Sequence, residues 1–131
     1  MFQRLAVVCG LALLPMAAQA ENQITGFMTH LGPSDAVSSR GVQLNDLCAI
    51  VQQDRANYHR FGLREELDSS DPVFASTDRR AMIADRCEYD HSYYRYAGDN
   101  IRSGTRYYLV YVRVFGSGDQ ITRITIEEGA G

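Results

Sequence analysis

The first twenty residues decide which part of this chain can fold. Leu5 to Leu14 carry no charge and, Gly10 apart, are all apolar. Arg4 and the amino terminus precede that run, Pro15 ends it, and Ala18-Gln19-Ala20 supplies the small-x-small pattern that a signal peptidase cleaves. The apolar run is about half of the roughly 20 residues a helix needs to cross a bilayer. Residues 1–20 therefore read as a cleavable signal peptide, cut after Ala20, that leaves no stable membrane anchor. Cys9 follows Val8 and has most of the apolar run after it, which fits the leader better than a lipid attachment site. The folding unit expected is one small domain over residues 21–131, working in the periplasm or outside a Gram-negative cell.

Charge narrows the tasks of that domain. The chain has 13 basic and 16 acidic residues, and every basic residue is Arg. Absence of Lys points to a high-GC genome, since Arg codons are GC-rich. Arg4 leaves with the leader, so the net charge of −3 becomes more negative still. With no basic cluster, nucleic acid is excluded as a partner, because phosphate contacts dominate that affinity. Anionic lipid is excluded on the same ground.

Two cysteines remain after cleavage, Cys48 and Cys87. In an oxidising compartment an even pair is most simply one disulfide. Closing a loop of about 39 residues would stabilise the fold by about 4 kcal/mol in the chain-entropy picture. Two buried free thiols are the competing reading. No C-x-x-C motif supports thiol-disulfide catalysis.

Ile24 to Leu31 alternates loosely and could form a short edge strand; Gly32 to Gly41 is a Ser-rich loop. Asn45 is placed to cap a helix. Leu44, Leu47, Cys48, Val51, Arg55 and Tyr58 then recur at helical spacing, up to a stop at Gly62. Arg55 is the only polar member of that inward stripe. An acidic, turn-rich loop follows from Leu63 to Ser76. Ser76 or Thr77 can cap a second, shorter helix reaching about Arg86, so the disulfide would staple helix to helix. Seven of the eight Tyr then fall between Tyr89 and Tyr111, and aromatic enrichment favours strands. Tyr89 to Tyr96, Thr105 to Phe115 and Ile121 to Glu127 are the predicted strands, with turn residues over Ala97 to Gly104. Gly116-Ser117-Gly118-Asp119 makes the last two a hairpin. With Ser117 and Gly118 at its tip, Tyr111 opposes Ile124, and Leu109, Tyr111, Ile124 and Ile126 form the better core face. Val110, Val112 and Val114 would then lie on the other face with Ile121, Arg123 and Thr125. A slip of one residue would exchange the two faces.

The predicted fold class is α+β: two N-terminal helices packed on one face of a three- to four-stranded antiparallel meander, with one disulfide. That element order is similar to small envelope modules and secreted inhibitor folds, an analogy of topology that does not fix function.

Candidate chemistry is sparse. Gln52 to Arg60 is the densest polar stretch, with Asp54 and Tyr58, and Arg55 and His59, as i, i+4 neighbours. A buried Arg55 must be paired, either with a structural carboxylate or with one from a ligand. Glu88-Tyr89-Asp90-His91 lacks metal-ligand spacing, and only His30 and His59 stand elsewhere. There is no G-x-S-x-G elbow, and Glu65 and Glu66 lie in an apparent surface loop. No cofactor is implied, and the chain reads as a non-enzyme more readily than as an enzyme. Adjacent tyrosines at 93–94 and 107–108 point to opposite faces of a strand, which leaves some of them free for recognition.

The expected function is an exported binding module that binds or inhibits another envelope or secreted protein. Asp54, Arg55, Tyr58, His59, Tyr93 and Tyr107 are its candidate binding residues. One alternative is a small periplasmic hydrolase or ligand-binding protein using the Asp54–His59 segment. The other is a structural envelope protein.

Overall fold

The computed structural model describes residues 21–117 and 119–130. Residues 1–20, over which a leader is expected, and the residues Gly118 and Gly131 lie outside the described residues. Four strands form one sheet: β1 Asn22–Leu31, β2 Cys87–Glu88, β3 Tyr108–Ser117 and β4 Gln120–Glu128, in the order β1-β3-β4-β2. Helices α1 Leu47–Ala56, α2 Thr77–Ala81, α3 Ile83–Arg86 and α4 Ala97–Ser103 make the second layer.

The fold is α+β with a disulfide, but its order and sheet differ from the meander expected. A strand of 10 residues precedes every α-helix and pairs antiparallel with β3. Two-residue β2 joins β4 in parallel, so the sheet is mixed. Tyr89 to Tyr96 is not a strand. Asp90 Oδ1 accepts from the Ser92 and Tyr93 backbone N–H groups at 2.9 and 3.0 Å, and Tyr94 N–H returns to the Asp90 carbonyl. This local turn outcompetes the strand preference of the aromatics. Ala97 to Gly104, expected as a turn, is α4 with a left-handed Gly104 cap. Gly98 lets this helix pack closely on the Asn45 backbone, where a Cβ would collide with the Asn45 carbonyl.

The first helix obeys the sequence pattern with one shift. Asp46, not Asn45, is the N-cap and accepts from Ala49 N–H at 3.1 Å. Asn45 instead accepts from the Arg102 guanidinium. The helix widens into a π turn over Asn57–Phe61 and stops at left-handed Gly62. Ser76 caps α2 as expected. Cys48 and Cys87 are bonded, and Cys87 opens β2, so the bridge ties α1 to the sheet edge and not helix to helix.

The hairpin register is the main correction. Ser117 pairs with Gln120, Val114 with Ile124 and Tyr111 with Glu127. Val110, Val112 and Val114 are therefore the buried face, and Tyr111 lies on the open one. Thr122 is an extra residue between the Gly116–Ile121 and Phe115–Arg123 pairs. That bulge resets the alternation, so Ile121 and Ile124, three residues apart, both point inward. Inner residues of the sheet, with Phe27 and Leu31 from β1, meet Leu47, Ile50, Val51, Phe74, Ile83 and Ile101 in one core. Outside, Arg113 lies over Tyr111 and Arg123 over Phe115, so long side chains shield the uncovered sheet face.

Gly116 sits at the bulge, where a Cβ would strike the Gln120 carbonyl oxygen. A Cβ on Gly26 would meet the far ends of the Tyr111 and Gln23 side chains, which can give way. Gly116→Ala should thus lower the unfolding free energy by about 2 kcal/mol or more, and Gly26→Ala by clearly less. Urea titrations of both variants check this; equal losses would contradict the observed register.

Candidate functional site

The candidate residues resolve into two places. Asp54, Arg55, Tyr58 and His59 converge under the surface on one side. Tyr93 and Tyr107 meet on the surface elsewhere.

Arg55 is the centre of the first group and is 0% exposed. Its stripe position on α1 turns it inward, onto β1 and onto the loop that follows Leu63. Nε donates to Asp54 Oδ2 at 2.7 Å, Nη1 to Asp71 Oδ1 and the Ser69 carbonyl at 3.0 Å, and Nη2 to Thr29 Oγ1 at 3.1 Å. Phe27 and Tyr58 rings lie 4.2 and 4.5 Å from the guanidinium carbon. Arg64 also approaches the Tyr58 ring, at 4.1 Å. The required partners are thus structural carboxylates. The π turn carries His59 to the same Asp71 oxygen at 2.9 Å. Asp71 Oδ2 accepts from Phe74 N–H at 2.6 Å. Burial works to raise the Asp71 pKa, but Phe74 N–H, His59 and Arg55 outweigh it and hold the carboxylate below its usual range.

A second ring of acids surrounds this core. Asp35 is buried and accepts from Gly32 N–H at 3.0 Å and from Asn57 Nδ2 at 2.9 Å. Burial pushes it up to about 6, with Glu65 and Asp68 adding to the rise. Asp68 accepts from His30 N–H at 2.9 Å and from Glu65 N–H at 2.6 Å. Glu65 pairs with His30 Nδ1 at 2.9 Å, yet burial and the neighbouring acids raise its pKa.

Thr29 counts the protons in this cluster. Its Oγ1 lies 2.8 Å from Asp54 Oδ1 and 2.9 Å from Asp68 Oδ1. A hydroxyl has one hydrogen, so it cannot donate linearly to two ionised carboxylates. With Asp54 protonated, every contact is made: Asp54 donates to Thr29, Thr29 donates to Asp68, and Asp54 Oδ2 still accepts from Arg55. Burial independently pushes Asp54 up to about 7, against the pull of Arg55 and with Asp35 adding to the rise.

Asp54, Arg55 and Asp71 are each at most 2% exposed, so a ligand reaches them only by displacing the chain that covers them. Among the described residues no three His, Cys, Asp or Glu side chains are arranged to hold a metal ion. The cluster is a buried polar hub. It does not supply an open catalytic pocket.

Tyr93 and Tyr107 do come together. They line a shallow depression of about 110 Å³ with Tyr94, Arg106, Tyr108 and Glu128. Tyr93 and Tyr107 are about half exposed, while Tyr94 and Tyr108 are buried behind them. Tyr107 stacks on His30 at 5.1 Å between centroids, which joins this surface to the hub. The sequence reading missed Arg106 and Glu128 because nothing local places the end of β4 beside the residue 93–94 turn. It also missed Asp71, although an Asp three residues before Phe74 is a turn acceptor and a buried Arg demands an acid. Glu88, Asp90 and His91 form no cluster with the other histidines; His91 stacks on Tyr89.

Comparison with known proteins finds no matching family model, no similar curated protein and no similar solved structure.

The raised carboxyls fix the sign of the pH dependence. Asp54, moved from 3.8 to about 7, and Asp35, moved from 3.8 to about 6, bind a proton in the folded chain where the unfolded chain has lost it. Stability must therefore fall as pH rises through that window. Asp71 acts oppositely, and its contribution is lost as pH drops below 3.8. The melting temperature should rise by about 5 °C or more from pH 8 to pH 5 and decline again in stronger acid. Asp54→Asn carries the hydrogen permanently, so it should flatten the rise and melt higher than wild type at pH 8. Calorimetry across pH measures both; a wild-type melting temperature that drops between pH 8 and pH 5 would refute the proton count.

Proposed function

We propose that this chain is an exported binding module, released after Ala20, that recognises another envelope or secreted protein through its tyrosine surface. The observation that carries this reading is the meeting of Tyr93 and Tyr107. They are fourteen residues apart in sequence, each about half exposed, and line one depression. Rigid aromatic side chains with a polar tip give large contact area at low entropic cost, which suits a protein interface. His30 stacks on Tyr107, and the buried Tyr94–Tyr108 contact lies behind Tyr93. A hydrolase built on Asp54 to His59 draws no support from the geometry, because those groups are sealed and mutually satisfied. A purely structural role leaves these two exposed tyrosines without a task.

The test is quantitative capture from periplasmic extract, with wild type and Tyr93→Ala/Tyr107→Ala immobilised in parallel. Wild type should retain a defined protein at least tenfold above the double variant, and the two should unfold at similar temperatures. Retention of nothing above background, or equal retention by both, would sink the proposal.

A further inference from the structure

A cavity of about 220 Å³ lies apart from the tyrosine depression and shares no lining residue with it. α1 and its π turn supply Gln52, Gln53 and Arg60, α2 supplies Thr77 and Arg80, and the chain before α1 adds Ser39. Two guanidinium groups therefore share one space, and among the described residues no carboxylate lines it.

Arg80 is the anomaly there. It is 6% exposed, yet among the described residues no Asp or Glu lies within ion-pair distance of it. Nη1 donates to the Phe74 and Ala75 carbonyls at 2.9 and 3.0 Å, and Nη2 to Thr77 Oγ1 at 3.1 Å. These acceptors are neutral. They orient the guanidinium but leave its charge uncompensated, whereas Arg55 has both Asp54 and Asp71. A buried cation is ordinarily paired with an anion. Nor are its donors used up. Nε–H and one hydrogen on Nη2 make no bond among the described residues. Nε is not among the polar atoms sealed from solvent, so it stays reachable. Nε and Nη2 flank one edge of the guanidinium, an edge that can grip two oxygens of a single anion.

The rest of the lining has the same polarity. Arg60 is exposed, lies over the Phe61 ring at 5.0 Å and has no acidic partner among the described residues. Thr77 Oγ1 accepts from Arg80, so its own hydrogen remains to be donated. Ser39 Oγ accepts from Gln53 Nε2 at 3.3 Å, with the same consequence. Gln52 adds an amide at the wall.

We propose that this cavity binds a phosphoryl dianion, either free phosphate or a small phosphate monoester. Two guanidinium charges match a doubly charged group, and donors come from both helices and from Ser39, more than the two oxygens of a carboxylate would use. A cationic ligand would meet Arg60 and Arg80, and an apolar one would leave the buried Arg80 charge uncompensated. Two arginines in a small cavity suit a soluble anion; they do not make the extended basic surface that nucleic acid or anionic lipid needs. This site is independent of the tyrosine surface, so either can fail without the other.

The test is an NMR titration of the purified protein with inorganic phosphate, methyl phosphate and acetate. It is run at constant ionic strength and pH 7.5, above the second phosphate pKa of about 6. Phosphate should give saturable shifts at the amides of Gln53, Thr77 and Arg80, and acetate should bind at least tenfold more weakly. Methyl phosphate binding as well as phosphate would support a monoester as the ligand; a tenfold preference for phosphate would support the free ion. Arg60→Gln removes an exposed charge and should weaken phosphate about tenfold without lowering the melting temperature. Arg80→Lys keeps the charge, loses the two-pronged edge and should weaken phosphate at least as much. No saturable shift, equal binding of acetate, or an unchanged phosphate affinity in Arg60→Gln overturns the inference.

Discussion

One guanidinium holds three parts of this molecule together. Arg55 comes from α1, and its partners come from β1 (Thr29), from its own helix (Asp54) and from the loop before α2 (Ser69, Asp71). The same loop then closes the edge of β1: Ser69 exchanges backbone and side-chain bonds with Met28, and Asp68 takes the His30 N–H. An edge strand with unpaired groups invites pairing with another chain. Seating the acidic loop on Arg55 therefore also protects the sheet edge between Met28 and His30. A buried ion pair gains little over a well-packed apolar core, but removing one member leaves the other charge stranded. That asymmetry makes the hub a matter of specificity: it fixes which loop residues meet which helix.

Much of this was legible in the residues, and the misses share physical causes. The apolar stripe and the Gly62 stop located α1, and Ser76 located α2. The even cysteine pair gave the bridge. Arg55 stood out as the polar residue in an inward stripe, and the demand for a partner was correct. Its partners were not readable, because they lie 16 and 26 positions away and only folding brings Asp71 and Thr29 to it. Register failed for a different reason. A single extra residue, Thr122, lets Ile121 and Ile124 share a face, and strict alternation cannot anticipate a bulge. Tyr89 to Tyr96 failed because one aspartate side chain, Asp90, turns the backbone more strongly than aromatic preference extends it. The tyrosine surface was half legible: Tyr93 and Tyr107 could be singled out, whereas Glu128 reaches them only through the sheet.

Hub and surface are mechanically connected. His30 pairs with Glu65 on the hub side and stacks on Tyr107 on the other. Tyr108, next in sequence, packs against Tyr94 behind the exposed rings and receives Asn100 Nδ2 at 3.1 Å. The tyrosines proposed for recognition are thus backed by a closely packed interior, which keeps their ordering cost low when a partner docks.

The claim on which the rest depends is that Arg55 anchors the loop to both layers. Urea unfolding of Arg55→Met at pH 7.5 tests it most directly. The methionine fills the space but strands Asp71, so the unfolding free energy should fall by about 3–5 kcal/mol. A loss below about 1 kcal/mol, the size of an ordinary surface substitution, would contradict the account.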